Sequence, residues 1–167
     1  NDATADLAWA LLFSVARRIV EADRFTRQGR FKGWAPELFL GLDITGRTLG
    51  IIGAGRIGTN FGKKAAGFSM KILYYDIKRN IEFEKECCAQ YVEFDELLKY
   101  SDFISIHIPL LPETRHLIGL REFSLMKKTA VLINTSRGPI VDEKSLVKAL
   151  RDKMIWGAGL DVYENEP

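Results

Sequence analysis

Residues 48–58 read Thr-Leu-Gly-Ile-Ile-Gly-Ala-Gly-Arg-Ile-Gly (TLGIIGAGRIG), and this stretch decides the fold. Its first part, TLGIIG, is short and apolar, which predicts a strand buried on both faces of a parallel sheet. The second part matches the pattern G-x-G-x-x-G and opens a helix-like segment, residues 57–68. The pattern alone is a weak signal. A strand before it and a helix after it are typical of a βαβ unit that binds a dinucleotide.

Each glycine of this loop has a separate physical function. Gly53 permits a tight turn off the strand, Gly55 lets the backbone approach a pyrophosphate, and Gly58 lets the helix lie close to the strand. Together with Arg56 and Ile57 they form the predicted cofactor loop. The pyrophosphate is expected at the helix N-terminus, where free N–H groups and the helix dipole favour an anion.

A second predicted strand, residues 71–76, ends at Asp76, which lies 18 residues after Gly58. A carboxylate there accepts hydrogen bonds from the adenosine ribose and repels a 2′-phosphate, which favours NAD over NADP. Lys78 and Arg79 oppose this preference, because basic side chains just past the strand can contact a 2′-phosphate. We therefore predict NAD as the cofactor. A plain turn without a ligand is the less favoured interpretation, since motif, context and spacing agree.

Strand and helix signals alternate through the rest of the chain. They predict strands at 103–108, 130–134 and 156–162, a weaker strand at 90–93, and helices at 94–100, 121–127 and 143–151. Apolar positions at helical spacing also predict one long helix over residues 4–27. The alternation is typical of an α/β fold of the Rossmann type, with a doubly wound parallel sheet in three αβα layers.

Composition excludes several classes of function. The 24 lysines and arginines nearly balance 22 acidic residues, so the net charge of +2 argues against nucleic acid or a membrane surface as a partner. Cys87 and Cys88 are adjacent, and the sequence has no metal-ligand spacing, so we expect no metal site and reduced thiols in a cytoplasmic protein. The apolar run at 7–16 is too short to span a bilayer, and its flanking charges are the reverse of a signal peptide's.

Three segments in the second half carry a family resemblance. They are SDFISIHIPL with PETRHLI (101–110 and 112–118), NTSRGPIVD (134–142) and GAGLDVYENEP (157–167). With the glycine loop, they occur in the order and at the spacing of the D-isomer-specific 2-hydroxyacid dehydrogenases, which the chain resembles from residue 3 to residue 167. The stretch at 34–43 is most similar to the glyoxylate/hydroxypyruvate reductase branch of that family.

The resemblance implies roles for individual residues. Arg137, within NTSRGP, is similar to the catalytic arginine, whose planar fork binds the substrate carboxylate or keto oxygen. Glu166, within DVYENEP, is similar to the glutamate that raises the pKa of a proton-donating histidine. The implied cofactor contacts are Ile108, Pro109, Thr114, Thr135 and Asp161.

The resemblance implies the NAD-binding domain of a 2-hydroxyacid dehydrogenase that reduces a 2-keto acid such as glyoxylate or hydroxypyruvate with NADH. We expect the sequence, residues 1–167, to be part of a longer polypeptide whose substrate domain is largely absent, because it starts with Asn1 rather than Met. Neither His107 nor His116 matches the motif of the family's histidine, which is expected beyond the sequence, so this part alone should be inactive. His107 is interpreted as a structural residue.

The sequence disfavours two other functions and favours a homodimer. A catalytically inactive NAD(H)-sensing module of the same family is disfavoured by the presence of Arg137 and Glu166. A short-chain dehydrogenase is disfavoured because no Tyr-x-x-x-Lys pattern stands at the appropriate place. A homodimer is predicted through the helix within residues 1–28, because Trp9 and Phe13 widen its apolar stripe beyond one packed face.

Overall fold

The computed structural model describes residues 1–166 and contains six strands. They are β1 (Thr48–Ile52), β2 (Lys71–Tyr75), β3 (Gln90–Tyr91), β4 (Phe103–Ile106), β5 (Val131–Asn134) and β6 (Gly157–Leu160). All pairings are parallel, and the strand order is β3-β2-β1-β4-β5-β6. After β3 the chain crosses back to place β4 beside β1, so the winding direction reverses at the carboxyl ends of these two central strands.

Residues 1–166 form seven helices. They are α1 (Asp2–Ala16), α2 (Ile19–Arg27), α3 (Arg56–Lys64), α4 (Ile81–Cys87), α5 (Phe94–Tyr100), α6 (Leu120–Leu125) and α7 (Glu143–Arg151). All of them except α2 cover the two faces of the sheet. Buried side chains of α1, α3 and α4 form one core with the sheet, and those of α5, α6 and α7 form the other. Every residue of β4 and β5 is buried, as their mainly apolar sequences predict for strands covered on both faces. The predicted three-layer αβα fold is confirmed.

The single helix predicted at residues 4–27 is wrong, because the chain forms α1 and α2 with a break between them. Arg18, at the break, has a left-handed φ of 55°. The carbonyl oxygen of Ala16 accepts a hydrogen bond from the Leu42 N–H at 2.8 Å, so the connection that follows α2 occupies the end of α1. No residue of α2 is buried, so tertiary packing does not extend the first helix through the break.

Trp9 and Phe13, the residues that widen the stripe of α1, pack inside this domain. The Trp9 ring stacks on Phe61 of α3 with ring centres 4.8 Å apart, and its Nε1–H donates to the Phe61 carbonyl oxygen at 3.0 Å. Phe13 meets Phe68 edge to face at 5.2 Å. Trp9 and Phe13 are therefore packed within the chain, and the homodimer through residues 1–28 stays a prediction.

Other differences from the sequence prediction are local. The predicted helix at 57–68 is α3 followed by a 3₁₀ turn, Ala65–Phe68, and the last strand is shorter than predicted. Helix α4 is not predicted from the sequence. Within residues 1–166, every helix falls short of the length and apolar character that crossing a bilayer requires. Cys87 and Cys88 are both free thiols.

Candidate cofactor site

The predicted site residues lie after the carboxyl ends of five strands. The glycine loop follows β1, Asp76 follows β2, Ile108 and Pro109 lie just past β4, Thr135 follows β5 and Asp161 follows β6. Because all strands of the sheet are parallel, these ends share one edge, and the reversal in winding opens a crevice there. The structure thus brings the predicted residues to one side of the molecule, and their individual roles stay predictions.

The glycine loop is tightly packed below and open above. Gly53 has a φ of +97°, and a Cβ there would lie 2.6 Å from the carbonyl oxygen of His107. Gly58, in the first turn of α3, would place a Cβ 1.9 Å from the carbonyl oxygen of Gly53. Gly55, the N-cap of α3, would place a Cβ where no atom of residues 1–166 lies within 4 Å. This open space at the start of a helix fits a phosphate group.

Two side chains brace the loop from beside it. Oδ2 of Asp76 accepts the N–H of Ala54 at 2.7 Å, and Nδ2 of Asn80 donates to the Ala54 carbonyl oxygen at 2.9 Å. The second carboxylate oxygen of Asp76 gives the side chain a further acceptor for a ribose hydroxyl. Asn80 is missed by the sequence analysis. Its signal was its position as a cap before α4, where its Oδ1 accepts the N–H of Phe83 at 3.0 Å.

A cleft of about 420 Å³ lies beside the loop, where β4 and β5 end. It gathers Ile57, Ile108, Pro109, Thr135 and Arg137, five of the predicted site residues. Thr114 is not among its lining residues. Its Oγ1 accepts the Leu111 N–H at 2.7 Å and donates to the Pro109 carbonyl oxygen at 2.8 Å, so it shapes the loop that carries Pro109.

His107 also lines the cleft, and its imidazole is neutral. Burial lowers the pKa of His107 to about 4, and its Nε2 lies 2.9 Å from the Ser105 hydroxyl. Within residues 1–166, Nδ1 of His107 and Oγ1 of Thr135 are buried without a hydrogen-bond partner. Such atoms are costly to leave unsatisfied, so their presence beside the cleft fits a ligand that carries hydroxyl or amide groups. The low pKa makes His107 a poor proton donor near neutral pH.

Arg137 leads from the cleft into a crowded turn. Its side chain is exposed, and Nη1 donates to the carbonyl oxygen of Ser136 at 2.7 Å. The next residue, Gly138, would place a Cβ 1.8 Å from the carbonyl oxygen of Tyr163. The segment after β6, which carries Glu166, therefore passes directly over the residue that follows Arg137.

Glu164 anchors that segment. Its Oε1 accepts from Nε2 of His116 at 2.6 Å and from Arg115 at 3.3 Å, while its backbone N–H donates to Glu143 at 3.1 Å. The hydrogen bond from His116, above all, holds the pKa of Glu164 below its ordinary value. Glu166 itself is exposed, and its Oε1 accepts the N–H of Tyr163 at 3.0 Å.

The doubly wound parallel sheet and its glycine loop define a dinucleotide-binding domain of the Rossmann type. A family model described as the NAD binding domain of D-isomer specific 2-hydroxyacid dehydrogenase matches residues 9–167. The chain therefore belongs to this family, and its cofactor is NAD. The family and the cofactor predicted from the sequence are both confirmed.

Similar proteins agree with this assignment. A glyoxylate reductase of Thermococcus litoralis is 59% identical over the whole of this chain, which covers 52% of that protein. The solved structure of a glyoxylate reductase from Paecilomyes thermophila has a TM-score of 0.91 and 43% identity, covering 100% of this chain and 50% of that one. The NAD-complexed D-isomer specific 2-hydroxyacid dehydrogenase of Lactobacillus delbrueckii has a TM-score of 0.87 and 36% identity, covering 96% and 48%. The chain spans about half the length of these relatives.

Proposed function

We propose that this chain is the cofactor-binding part of an NAD-dependent 2-hydroxyacid dehydrogenase that reduces a small 2-keto acid, with glyoxylate or hydroxypyruvate as the substrate. The observation that carries the proposal is that Arg137 lines the same cleft as Ile57 and Thr135, beside the glycine loop. In this proposal the guanidinium binds the carboxylate of the substrate beside the cofactor. The relatives bear the names of enzymes, which favours this function over the inactive NAD(H)-sensing module.

In this proposal the cofactor lies along the carboxyl edge of the sheet. The N–H groups at the start of α3 bind the pyrophosphate, with Arg56 beside them, and Asp76 accepts from the adenosine ribose. Ile108, Pro109 and Thr135 contact the nicotinamide ribose and ring, and Asp161 binds the carboxamide. When bound, NADH supplies the hydride for reduction of the keto group.

Arg137 and Glu166 are the proposed catalytic residues of the chain. The fork of Arg137 pairs with the substrate carboxylate or polarises the keto oxygen through charge-assisted hydrogen bonds. The carboxylate of Glu166 raises the pKa of the proton-donating histidine, which the family resemblance places after residue 167. The chain alone is then expected to bind NADH with little or no turnover, and robust glyoxylate reduction by it would contradict this division of labour.

Calorimetric titration with NADH and NADPH tests the cofactor assignment. Asp76→Asn keeps an oxygen for the Ala54 N–H but removes the charge. The ratio of NADH affinity to NADPH affinity should therefore fall by about tenfold. Asp43→Asn is the control. Asp43 is exposed and precedes β1, so it lies near the end of that strand opposite the glycine loop. Tighter binding of NADPH than of NADH by the unaltered chain would overturn the role of Asp76.

The catalytic role of Arg137 is tested in the whole polypeptide that contains this chain. Arg137→Ala should lower kcat/KM for glyoxylate by about a hundredfold, because two hydrogen bonds to a charged group are lost. Arg137→Lys, which keeps the charge without the fork, should restore only part of the loss. Full activity of Arg137→Ala would refute its catalytic role.

We also propose a homodimer, formed by α2 and the connection that follows it rather than by the stripe of α1. Phe31, Trp34 and Leu40 are 53%, 85% and 59% exposed, and Ile19 and Val20 of α2 are about half exposed. An exposed apolar patch of this kind is typical of an interface, and a second copy is the proposed occupant. Light scattering should give a dimer, and Trp34→Ser with Val20→Glu should give a monomer.

We also propose a cytoplasmic location, which the two free thiols support.

A further inference from the structure

Arg79 and Glu84 form an ion pair just past the ribose end of the proposed site. Arg79 stands three residues after Asp76, in the connection to α4, and Glu84 lies in the first turn of α4. The Arg79 guanidinium donates from Nε to Oε1 of Glu84 at 3.0 Å and from Nη2 to Oε2 at 2.7 Å. This two-bond arrangement is the strongest that an arginine makes with a carboxylate.

The pair is held in place from both sides. Oε1 of Glu84 also accepts the hydroxyl of Tyr74 at 2.6 Å, and that hydroxyl accepts the N–H of Asn80 at 2.8 Å. Tyr74 is fully buried, so it fixes the position of the carboxylate. On the other side, the Arg79 guanidinium lies 5.8 Å from the ring centre of Tyr91. The hydrogen bond between the two side chains raises the pKa of Arg79 and lowers that of Glu84.

We infer that Glu84 is a specificity-determining residue: by holding Arg79 in this pair, it withholds the guanidinium from a 2′-phosphate and so supports the selection of NAD by Asp76. The inference rests on the proposed placement of the adenosine ribose at Asp76. Without Glu84, Arg79 would be well suited to NADP, because it is 58% exposed and a guanidinium binds phosphate through two parallel hydrogen bonds.

An exposed ion pair is normally too weak to restrain an arginine. This one differs because the Glu84 side chain is only 18% exposed and is tied to a buried tyrosine. Moving Arg79 onto a phosphate would leave a partly buried carboxylate with one charged partner fewer, which is unfavourable. The two basic residues that oppose the NAD preference are therefore not equivalent. Both are exposed, but within residues 1–166 Arg79 is paired with Glu84, whereas Lys78 forms no ion pair.

The test is a double-mutant cycle on this chain, read by calorimetric titration with NADH and with NADPH. Its four proteins are the unaltered chain, Arg79→Ala, Glu84→Gln and the double variant. In Glu84→Gln the amide oxygen still accepts from Tyr74 but competes poorly with a phosphate for Arg79. We expect NADPH to bind about tenfold more tightly and NADH to change by less than about twofold. Lys78 is present in all four proteins, so its contribution cancels.

Glu82→Gln is the matched control. Glu82 is exposed and lies in the same first turn of α4, so this variant loses the same charge and the same interaction with the helix dipole. Glu82 lines the cavity that contains Gly55 and Arg56, so its effect on a bound pyrophosphate should be equal for both cofactors, and the ratio of NADPH to NADH affinity should stay unchanged. Arg79→Ala should change NADPH affinity little when Glu84 is present. In the Glu84→Gln background it should cancel the gain in NADPH affinity. Thermal melting of each variant checks that it is folded.

Glu84→Asp serves as a second variant if Glu84→Gln does not fold. It keeps the charge but shortens the side chain, which breaks the two-bond geometry, so NADPH affinity should again rise. Equal effects of Glu82→Gln and Glu84→Gln on the ratio of NADPH to NADH affinity, or an equal loss of NADPH affinity on Arg79→Ala in both backgrounds, would overturn the inference. If the unaltered chain does not bind NADH, the proposed cofactor site itself is wrong, which is a different result.

Discussion

Three glycine-to-alanine variants separate how the loop folds from how it binds. In Gly58→Ala the new Cβ would lie 1.9 Å from the Gly53 carbonyl oxygen, and side-chain Cβ atoms essentially never approach closer than 3.0 Å. The helix or the loop must therefore move by more than an ångström. The loop has no room to give, because Gly53 is itself close against the His107 carbonyl group. Gly55→Ala adds the same methyl group to open space, and Gly67→Ala does so far from the loop.

These differences fix the expected magnitudes. Overpacking against backbone should cost Gly58→Ala about 3 kcal/mol of unfolding free energy, or roughly 10 °C in melting temperature. Gly55→Ala should be nearly neutral for stability, because the poorer N-cap and the lower entropy of the unfolded chain offset each other to within about 0.5 kcal/mol. Its methyl group nevertheless points into the space proposed for the pyrophosphate, so NADH affinity should fall by about tenfold or more. Gly67→Ala should change neither quantity.

Differential scanning calorimetry gives the stability of each variant, and titration with NADH gives its affinity. The decisive comparison is Gly55→Ala, which is expected to lose binding while it keeps its melting temperature. Full NADH affinity in this variant would refute the placement of the pyrophosphate over the start of α3. An unchanged melting temperature for Gly58→Ala would show that the contact between helix and strand is looser than the structure indicates.

Three further predictions concern the cleft and the segment after β6. Gly138→Ala should destabilise the chain by about 3 kcal/mol and speed amide exchange near Tyr163, because its Cβ meets the Tyr163 backbone. The lowered pKa of Glu164 implies a contribution to stability that is present above pH 4.5 and lost as the pH falls. The unfolding free energies of Glu164→Gln and the unaltered chain, measured by urea titration, should therefore differ at pH 7 and converge in acid. The imidazole of His107 should titrate by NMR near pH 4. Because the unfolded chain takes up this proton near pH 6.5, the unfolding free energy should fall as the pH decreases from 6.5 to 4. An NMR midpoint near 6.5 would contradict the burial of His107.

The sheet is predictable from sequence because its strands are buried on both faces. β4 and β5 are each apolar except for one buried polar residue, Ser105 in β4 and Asn134 in β5, and this composition is a direct consequence of helices on either side. The break after Ala16 is not predictable in this way. It depends on a hydrogen bond from Leu42, which is distant in sequence, and the apolar spacing continues past it. Helix α4 has seven residues with one buried side chain, Phe83, which is too little for a periodic pattern.

The candidate site is predictable where a residue follows a strand directly. Parallel strands end at one edge, so Asp76, Thr135 and Asp161 are predicted to lie along that edge without any knowledge of side-chain packing. The network around the site depends on packing and is therefore missed. Asn80 reaches the glycine loop only because α4 begins beside it, and Glu84 meets Arg79 only because that helix exists. The capping position of Asn80 marks the start of a helix, but it does not predict the contact with the glycine loop, and sequence spacing does not predict the contact of Glu84 with Arg79.

The two halves of the site differ in how firmly the chain holds them. The glycine loop is hydrogen-bonded to Asp76 and Asn80 and packed under Gly58, so binding a dinucleotide there requires little ordering of the backbone. Within residues 1–166, the side chains of Arg137 and Glu166 are exposed and hydrogen-bonded only to backbone atoms within three residues. Because a catalytic side chain must be fixed to act in the transition state, affinity for NADH should be a property of this chain, whereas the rate of reduction depends on whatever contacts order these two side chains.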